Sequence, residues 1–225
     1  MKFDDLVRLF GNRAWFDFEM VLLLSGEEAE CVHTELYRWR QSGKLVELRR
    51  GLFTLAEPWR HGGLDGAALA GPLYAPSYLS GLWVLARCGI VETVGDAGAG
   101  LAAAGRLEFT SVTARPARTF ENAFGRFSYA TFPRDLLFGS RTEELGGRQA
   151  RVAWPEKALL DFWFVEGGEW DEGRFEKAGM DPGPMDLVRL GEMAARAGRP
   201  RLARAAGAFM NFAGRRGAVA AEAHP

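Results

Sequence analysis

The stretch Glu27–Leu55, reading EEAECVHTELYRWRQSGKLVELRRGLFTL, constrains this chain more than any other. Placed on a helix, Ala29, Val32, Leu36 and Trp39 fall at i, i+3, i+7 and i+10 and form one apolar stripe that must face a core. The opposite face carries Glu30, Thr34, Tyr37, Arg38 and Gln41, polar side chains long enough to reach base edges. Gly43 ends the helix, because glycine enters positive φ without steric cost. The pattern then changes to two short strands around Arg49-Arg50-Gly51.

Helix, glycine and a hairpin with two arginines near its tip succeed one another as in a winged helix-turn-helix, with recognition helix and wing on one surface. The preceding segments supply the rest of a three-helix core. Phe3, Leu6, Val7 and Phe10 make a short amphipathic helix stopped at Gly11-Asn12, and Asp17 caps a second through Phe18, Val21 and Leu22 to Ser25-Gly26. A unit of about 60 residues buries only about 60% of its unfolded surface. It is therefore expected to lean on the remainder of the chain.

The net charge of -1 argues against indiscriminate coating of nucleic acid, but the charges are unevenly placed. From Met1 to Glu35 the acids outnumber the bases 8 to 3, and from Leu36 to Arg60 the bases outnumber the acids 6 to 2. One basic face on a near-neutral protein suits a site-specific binder, since each neutralised phosphate adds affinity while the acidic remainder discourages loose association. Thr34, Tyr37, Arg38 and Gln41 are the candidates for base contacts. Arg49 and Arg50, then Lys44 and Arg40, are the candidates for phosphate or minor-groove contacts. The competing reading is a solvated helix face that touches nothing, and His33 at its edge reads as a packing or phosphate-contact residue.

Glu57-Pro58 closes the hairpin and His61-Gly62-Gly63 reads as a linker, giving an N-terminal domain over 1–60 and a second over 66–225. In the second, Pro76-Ser77 suits a helix start and Gly89 its end, with Leu79, Leu82, Trp83 and Ala86 as the buried stripe. Gly95 to Gly105 is nearly all glycine and alanine and reads as a mobile loop. Leu107–Ala114 and Arg126–Phe132 alternate like an antiparallel pair joined through Thr119–Gly125, and Arg148–Ala153 reads as a third strand. Pro155-Glu156-Lys157-Ala158-Leu159-Leu160-Asp161 starts a helix, Asp181-Pro182 another, and Pro200 a last one carrying many arginines. Gly217–Pro225 reads as a frayed tail. The expected fold class is α+β, a winged helix-turn-helix followed by a mixed α+β domain with a small antiparallel sheet and C-terminal helices.

In this order the segments resemble the AbiEi family, the antitoxin and transcriptional regulator of type IV abortive-infection toxin-antitoxin systems. The resemblance rests on Leu36-Tyr37-Arg38-Trp39 through Gly43-Lys44-Leu45 to Arg50-Gly51-Leu52-Phe53, on Tyr74 to Ser80 with Gly89-Ile90-Val91, on Phe109 to Thr113, and on Ala153 to Asp161. It implies an N-terminal winged helix that binds an inverted repeat in its own promoter and represses the operon. It also implies a C-terminal domain that counters a cognate nucleotidyltransferase-like toxin, functionally rather than in a tight complex. The alternatives are a protein-interaction module, using the second domain and its basic last helix to neutralise such a toxin, and an orphan regulator without one.

Catalytic patterns point elsewhere. Lys157 and Asp161 lie one turn apart and read as a structural ion pair anchoring the helix on the sheet. Tyr78, Ser80, Thr113 and Tyr129 read as buried hydrogen-bonded residues rather than a shared polar surface. Gly98-Ala99-Gly100-Leu101-Ala102-Ala103 matches the loose dinucleotide pattern but lacks the flanking strand and long helix of a Rossmann unit. His33, His61 and His224 form no HExxH, and GxSxG and P-loop patterns are missing. Cys31 and Cys88 lack CxxC spacing and read as buried thiols. The expectation is a non-enzyme with no cofactor and no metal. With no run of roughly 20 apolar residues and no signal-like start, it is expected in the cytoplasm and off the membrane.

Overall fold

The computed structural model describes residues 1–91, 101–103 and 106–222, by backbone alone for 101–103 and 217–222. It is an α+β fold with two sheets. The first unit runs α1 (Phe3–Phe10), β1 (Phe16–Asp17), α2 (Phe18–Ser25), α3 (Ala29–Gln41), β2 (Leu45–Arg49) and β3 (Leu52–Leu55). Its strands form a small antiparallel sheet in the order β1-β3-β2. Asp17 caps α2 by accepting the Met20 amide at 2.8 Å, and Gly26 closes it at φ 66°, a left-handed conformation glycine adopts cheaply. Val32 and Leu36 of α3 are buried with Leu6, Phe10 and Phe16, and Trp39 packs at the edge of that cluster. Ala29, in the first turn, is exposed, so the stripe begins one turn later than its spacing suggests.

The second unit begins with a 3-10 turn at Gly66–Leu69 and α4 (Ala70–Leu73). It continues through β4 (Ser77–Leu79), α5 (Leu82–Arg87), β5 (Leu101–Ala103), β6 (Arg106–Thr113), β7 (Arg118–Asn122) and β8 (Gly125–Thr131). Then come β9 (Ser140–Leu145), β10 (Arg148–Ala153), α6 (Pro155–Glu166), α7 (Glu172–Lys177), α8 (Leu187–Ala197) and α9 (Pro200–Glu222). The strands make a seven-stranded sheet ordered β7-β8-β6-β4-β10-β9, with β5 paired to β6.

This sheet is large and mixed, where the sequence suggests a small antiparallel one. β6 and β8 are neighbours, but they run parallel. The segment expected to connect them holds β7, which turns back on β8 through Asn122 and Gly125 and so reverses the chain once more. Ser77–Leu79, expected to open a helix, is instead a strand, antiparallel to β6 and parallel to β10, and the helix starts only at Leu82. Arg148–Ala153 is a strand as expected, paired antiparallel to β9.

α6 is buried over most of its surface, the charged Glu156, Lys157 and Asp161 included along with Ala158, Leu159, Leu160 and Trp163, which marks a central helix. It packs against α5, α8, α9 and β10, and Trp163 meets the rings of Trp170, Phe175 and Phe209. α8 starts at Leu187 under an Asp186 cap rather than at Pro182. α9 remains helical to Glu222, well into the segment expected to fray. The glycine-alanine stretch from Gly95 to Gly105, with its loose dinucleotide pattern, lies outside the described residues except for Leu101–Ala103 in β5. Among the described residues no helix is long and apolar enough to cross a membrane.

The two units share apolar packing. Leu48 and Leu52 of the β2–β3 hairpin are buried in the second unit's core, not their own. Polar ties accompany them: Asn122 Nδ2 donates to the Leu48 carbonyl at 3.1 Å, and Arg148 to the Asn12 carbonyl at 3.2 Å. The His61-Gly62-Gly63 linker is itself fastened to the end of α1, His61 N donating to the Gly11 carbonyl at 2.8 Å.

Candidate nucleic-acid interface

The solvent face of α3 is open. Glu30, Thr34, Tyr37, Arg38 and Gln41 are all exposed, Tyr37 by 58%. Thr34 Oγ1 donates to the Glu30 carbonyl of its own helix at 2.9 Å, which fixes its rotamer. Arg38 forms no ion pair among the described residues and flanks a shallow depression with Glu30, Cys31, Thr34 and Glu35.

Between α3 and the hairpin runs a groove of about 340 Å³ bounded by Phe18, His33, Tyr37, Arg40, Glu47 and Arg50. His33 stacks on Phe18 at 4.0 Å between ring centroids, a packing role that also keeps the imidazole at the groove edge. Arg40 lies over the Tyr37 ring at 5.5 Å and pairs with Glu47. Arg50, at the hairpin tip, is exposed and unpaired among the described residues. Helix face and hairpin tip thus border one concave surface with aromatic and cationic side chains at its rim.

Arg49 does not belong to it. Its Nε donates to the Leu73 carbonyl at 2.9 Å and one terminal nitrogen to the Arg50 carbonyl at 3.1 Å. The cause is a bulge in β2: Glu47 pairs with Phe53 but Arg49 with Leu52, so Leu48 is the extra residue. Strict alternation puts Leu48 on the face of Val46, toward the second unit, and would put Arg49 back on the face of Glu47; past the bulge Arg49 lies toward the second unit as well. Lys44 is also displaced, its Nζ 4.5 Å from the centroid of the Phe3 ring, on the side of α1. Glu47, overlooked in the sequence, lines the groove and neutralises Arg40. Counting Glu47 as a hairpin residue facing α3 was the available signal.

The cysteines are not the buried thiols expected. Cys31 is exposed on α3 because it lies one residue off the buried stripe, and Cys88 is half-buried. Burial raises the pKa of the Cys88 thiol. Among the described residues no group of three His, Cys, Asp or Glu could hold a metal ion.

In the second unit the Lys157–Asp161 pair is fully buried, both side chains 2% exposed. Asp161 Oδ2 accepts from Ser80 at 2.7 Å and Tyr78 at 3.3 Å, and Lys157 Nζ sits 4.9 Å from the centroid of the Phe138 ring. Burial pushes the Asp161 carboxyl up and the Lys157 ammonium down, each partly offset by the other. Burial, reinforced by Asp161, holds the Tyr78 phenol far above its usual range. Thr113 donates to the Pro76 carbonyl at 2.6 Å and Tyr129 to that of Ala70 at 2.6 Å. Tyr78, Ser80, Thr113 and Tyr129 are thus all buried and hydrogen-bonded, as expected.

The arginines of the last helices are largely spent on the fold. Arg199 pairs with Asp135 at 2.6 Å, Arg204 with Glu169 at 2.6 Å and Arg215 with Glu172 at 2.5 Å. Arg201 caps the carbonyls of Trp163 and Phe164, and Arg216 donates to that of Met180 at 3.0 Å. A basic sequence here does not amount to a free basic surface.

No protein-family model matches the chain, and no curated protein matches it.

Proposed function

We propose that residues 1–60 form a winged helix-turn-helix that binds duplex DNA sequence-specifically, making the protein a transcriptional repressor. One observation carries this reading: the exposed face of α3 meets the hairpin tip at Arg50 across a single groove through Tyr37 and Arg40, with Gln41 and Arg38 exposed on the same helix outside the groove. The element order α1-β1-α2-α3-β2-β3 and the strand order β1-β3-β2 support it, because they put the third helix and the hairpin side by side.

On this reading Arg38 and Gln41 read base edges, a good bidentate pair giving about 1 to 3 kcal/mol of discrimination. Arg50 contacts phosphate or enters the minor groove. Arg40 and Thr34 hold the surface in shape, and Arg49 and Lys44 take no part. The proposed operator is an inverted repeat with half-sites about one helical turn or a multiple apart. Selection from a random duplex pool with the full chain tests this: recovery of one inverted repeat supports it, and an unenriched pool refutes it.

We further propose an AbiEi-like antitoxin role, resting on the sequence resemblance. The engagement of Arg199, just before α9, and of Arg204 and Arg215 within it by acidic partners of the fold favours repression over capture of a toxin by a basic helix. Co-expression with the product of an adjacent gene separates the two. Protection by the full chain but not by its Arg38→Ala/Arg50→Ala variant indicates repression; protection by both indicates action on the toxin itself.

A further inference from the structure

Beside the buried Asp161, on the sheet face that α6 only partly covers, lies a cleft of about 520 Å³. Its floor is set by register. Thr110 pairs with Ser128 and Ser128 with Thr119, so three hydroxyl residues cross β6, β8 and β7 in a row, with Val112 and Ala130 forming the row beside them. Thr110 is already used, donating to the Ser80 carbonyl and accepting the Trp83 amide at 3.1 Å; Ser128 and Thr119 line the open space. The wall is apolar, made by Phe162 and Val165, one turn apart on α6, and by Leu82. Val165 is 55% exposed although it is apolar and lies one turn after the buried Asp161.

The charge in the cleft has one sign. Asp161 at the inner end is balanced by Lys157, which lies behind it among the rings of Tyr78, Phe132 and Phe138. Glu166, at the mouth, is exposed and forms no ion pair among the described residues. Arg118 borders the cleft, but its guanidinium lies over the rings of Tyr74 and Phe120, at 5.9 and 5.6 Å, which face the other side of the sheet. Arg126 shares the sheet face further along and lies within ion-pair reach of Glu108 and Glu121. Arg201, near the end of α6, is occupied by the carbonyls of Trp163 and Phe164.

We propose that this cleft is a binding site for a small organic amine with a flat apolar body. The ammonium meets Glu166, the body lies along Phe162, Val165 and Leu82, and the hydroxyls of Ser128 and Thr119 serve its remaining polar groups. A metal ion is far too small for the space, and an anion would meet the Glu166 carboxylate, unpaired among the described residues, with Asp161 already neutralised by Lys157 behind it. An ammonium near the Phe162 ring also gains from the ring's negative face. The site is independent of the DNA-binding reading.

Calorimetric titration of the full chain with 2-phenylethylamine, against 3-phenylpropionate as a carboxylate of similar shape, tests the proposal. Saturable one-to-one binding of the amine, with the carboxylate at least about tenfold weaker, is expected. Glu166→Gln should weaken the amine about tenfold or more, with circular dichroism and melting temperature unchanged, and Ala130→Leu should block it by filling the floor. No binding of the amine, equal binding of the carboxylate, or an unaffected Glu166→Gln variant overturns it.

Discussion

Arg49 donates through Nε to the backbone carbonyl of Leu73 across 2.9 Å, which makes this hairpin arginine a tie between the two units. Its neighbour Arg50 stands exposed at the groove. Adjacent residues of one type therefore have separable roles.

Arg49→Ala is expected to cost about 1 kcal/mol of stability, the scale of a lost charge-assisted hydrogen bond in a partly exposed place, and to leave DNA affinity close to wild type. Arg50→Ala is expected to leave stability unchanged, weaken DNA binding to all sequences alike, and lower the salt slope by about one. Urea denaturation together with DNA titrations at several salt concentrations checks both. Equal loss of DNA affinity in the two variants contradicts the division.

The Lys157–Asp161 pair predicts a pattern of non-additivity. Lys157→Met or Asp161→Leu alone should destabilise by about 3 to 5 kcal/mol, because each leaves a buried partner uncompensated. The double variant Lys157→Met/Asp161→Leu should recover part of the loss, though not all, since Tyr78 and Ser80 lose their acceptor. A double-mutant cycle by denaturation measures the coupling. Additive losses contradict the pairing.

Glu143 predicts an acid-sensitive contribution. Burial pushes its carboxyl up, but hydrogen bonds from Arg87 at 2.5 Å and Arg141 at 2.7 Å outweigh that and hold it below its ordinary value of 4.5. A depressed folded-state pKa means stability that is present above the unfolded value and is lost as pH falls below 4.5 through the folded one. Glu143→Gln should therefore lower stability near neutrality and flatten its decline in acid. Melting temperatures across that range check it, and parallel curves for variant and wild type contradict it.

Gly125 closes the β7–β8 hairpin at φ 140°, and a Cβ there would lie 2.5 Å from the Leu107 carbonyl oxygen. Gly125→Ala is expected to cost about 1 to 3 kcal/mol or more, since backbone strain and a clash with main chain coincide. An unchanged midpoint in urea contradicts the close approach of β8 to β6.

The helices of the first unit were legible because their signals are local: the Asp17 cap, Gly26, and the Val32 and Leu36 stripe each act within a few residues. The sheet of the second unit was legible only in pieces. Alternation located Arg106–Thr113 and Gly125–Thr131, but whether they run parallel depended on reading Arg118–Asn122 as a strand, and three of those five residues are exposed and none is buried. β4 is three residues long and carries no alternation to detect. At the candidate interface, residue types identified the α3 face, while the bulge at Leu48 that removes Arg49 leaves no mark in composition. The 520 Å³ cleft was invisible for the same reason, since its floor is assembled from three strands whose pairing the sequence does not reveal.

The most direct measurement is fluorescence anisotropy of the full chain on the DNA immediately upstream of its own gene, alongside unrelated DNA of equal length, with wild type and the Arg38→Ala/Arg50→Ala variant. Tighter binding to the upstream fragment is predicted, with a steep decline with salt and at least about a tenfold loss of affinity in a variant that melts like wild type. Equal affinity for both fragments, or undiminished binding by the variant, would contradict the claim that α3 and the hairpin tip form a DNA-reading surface.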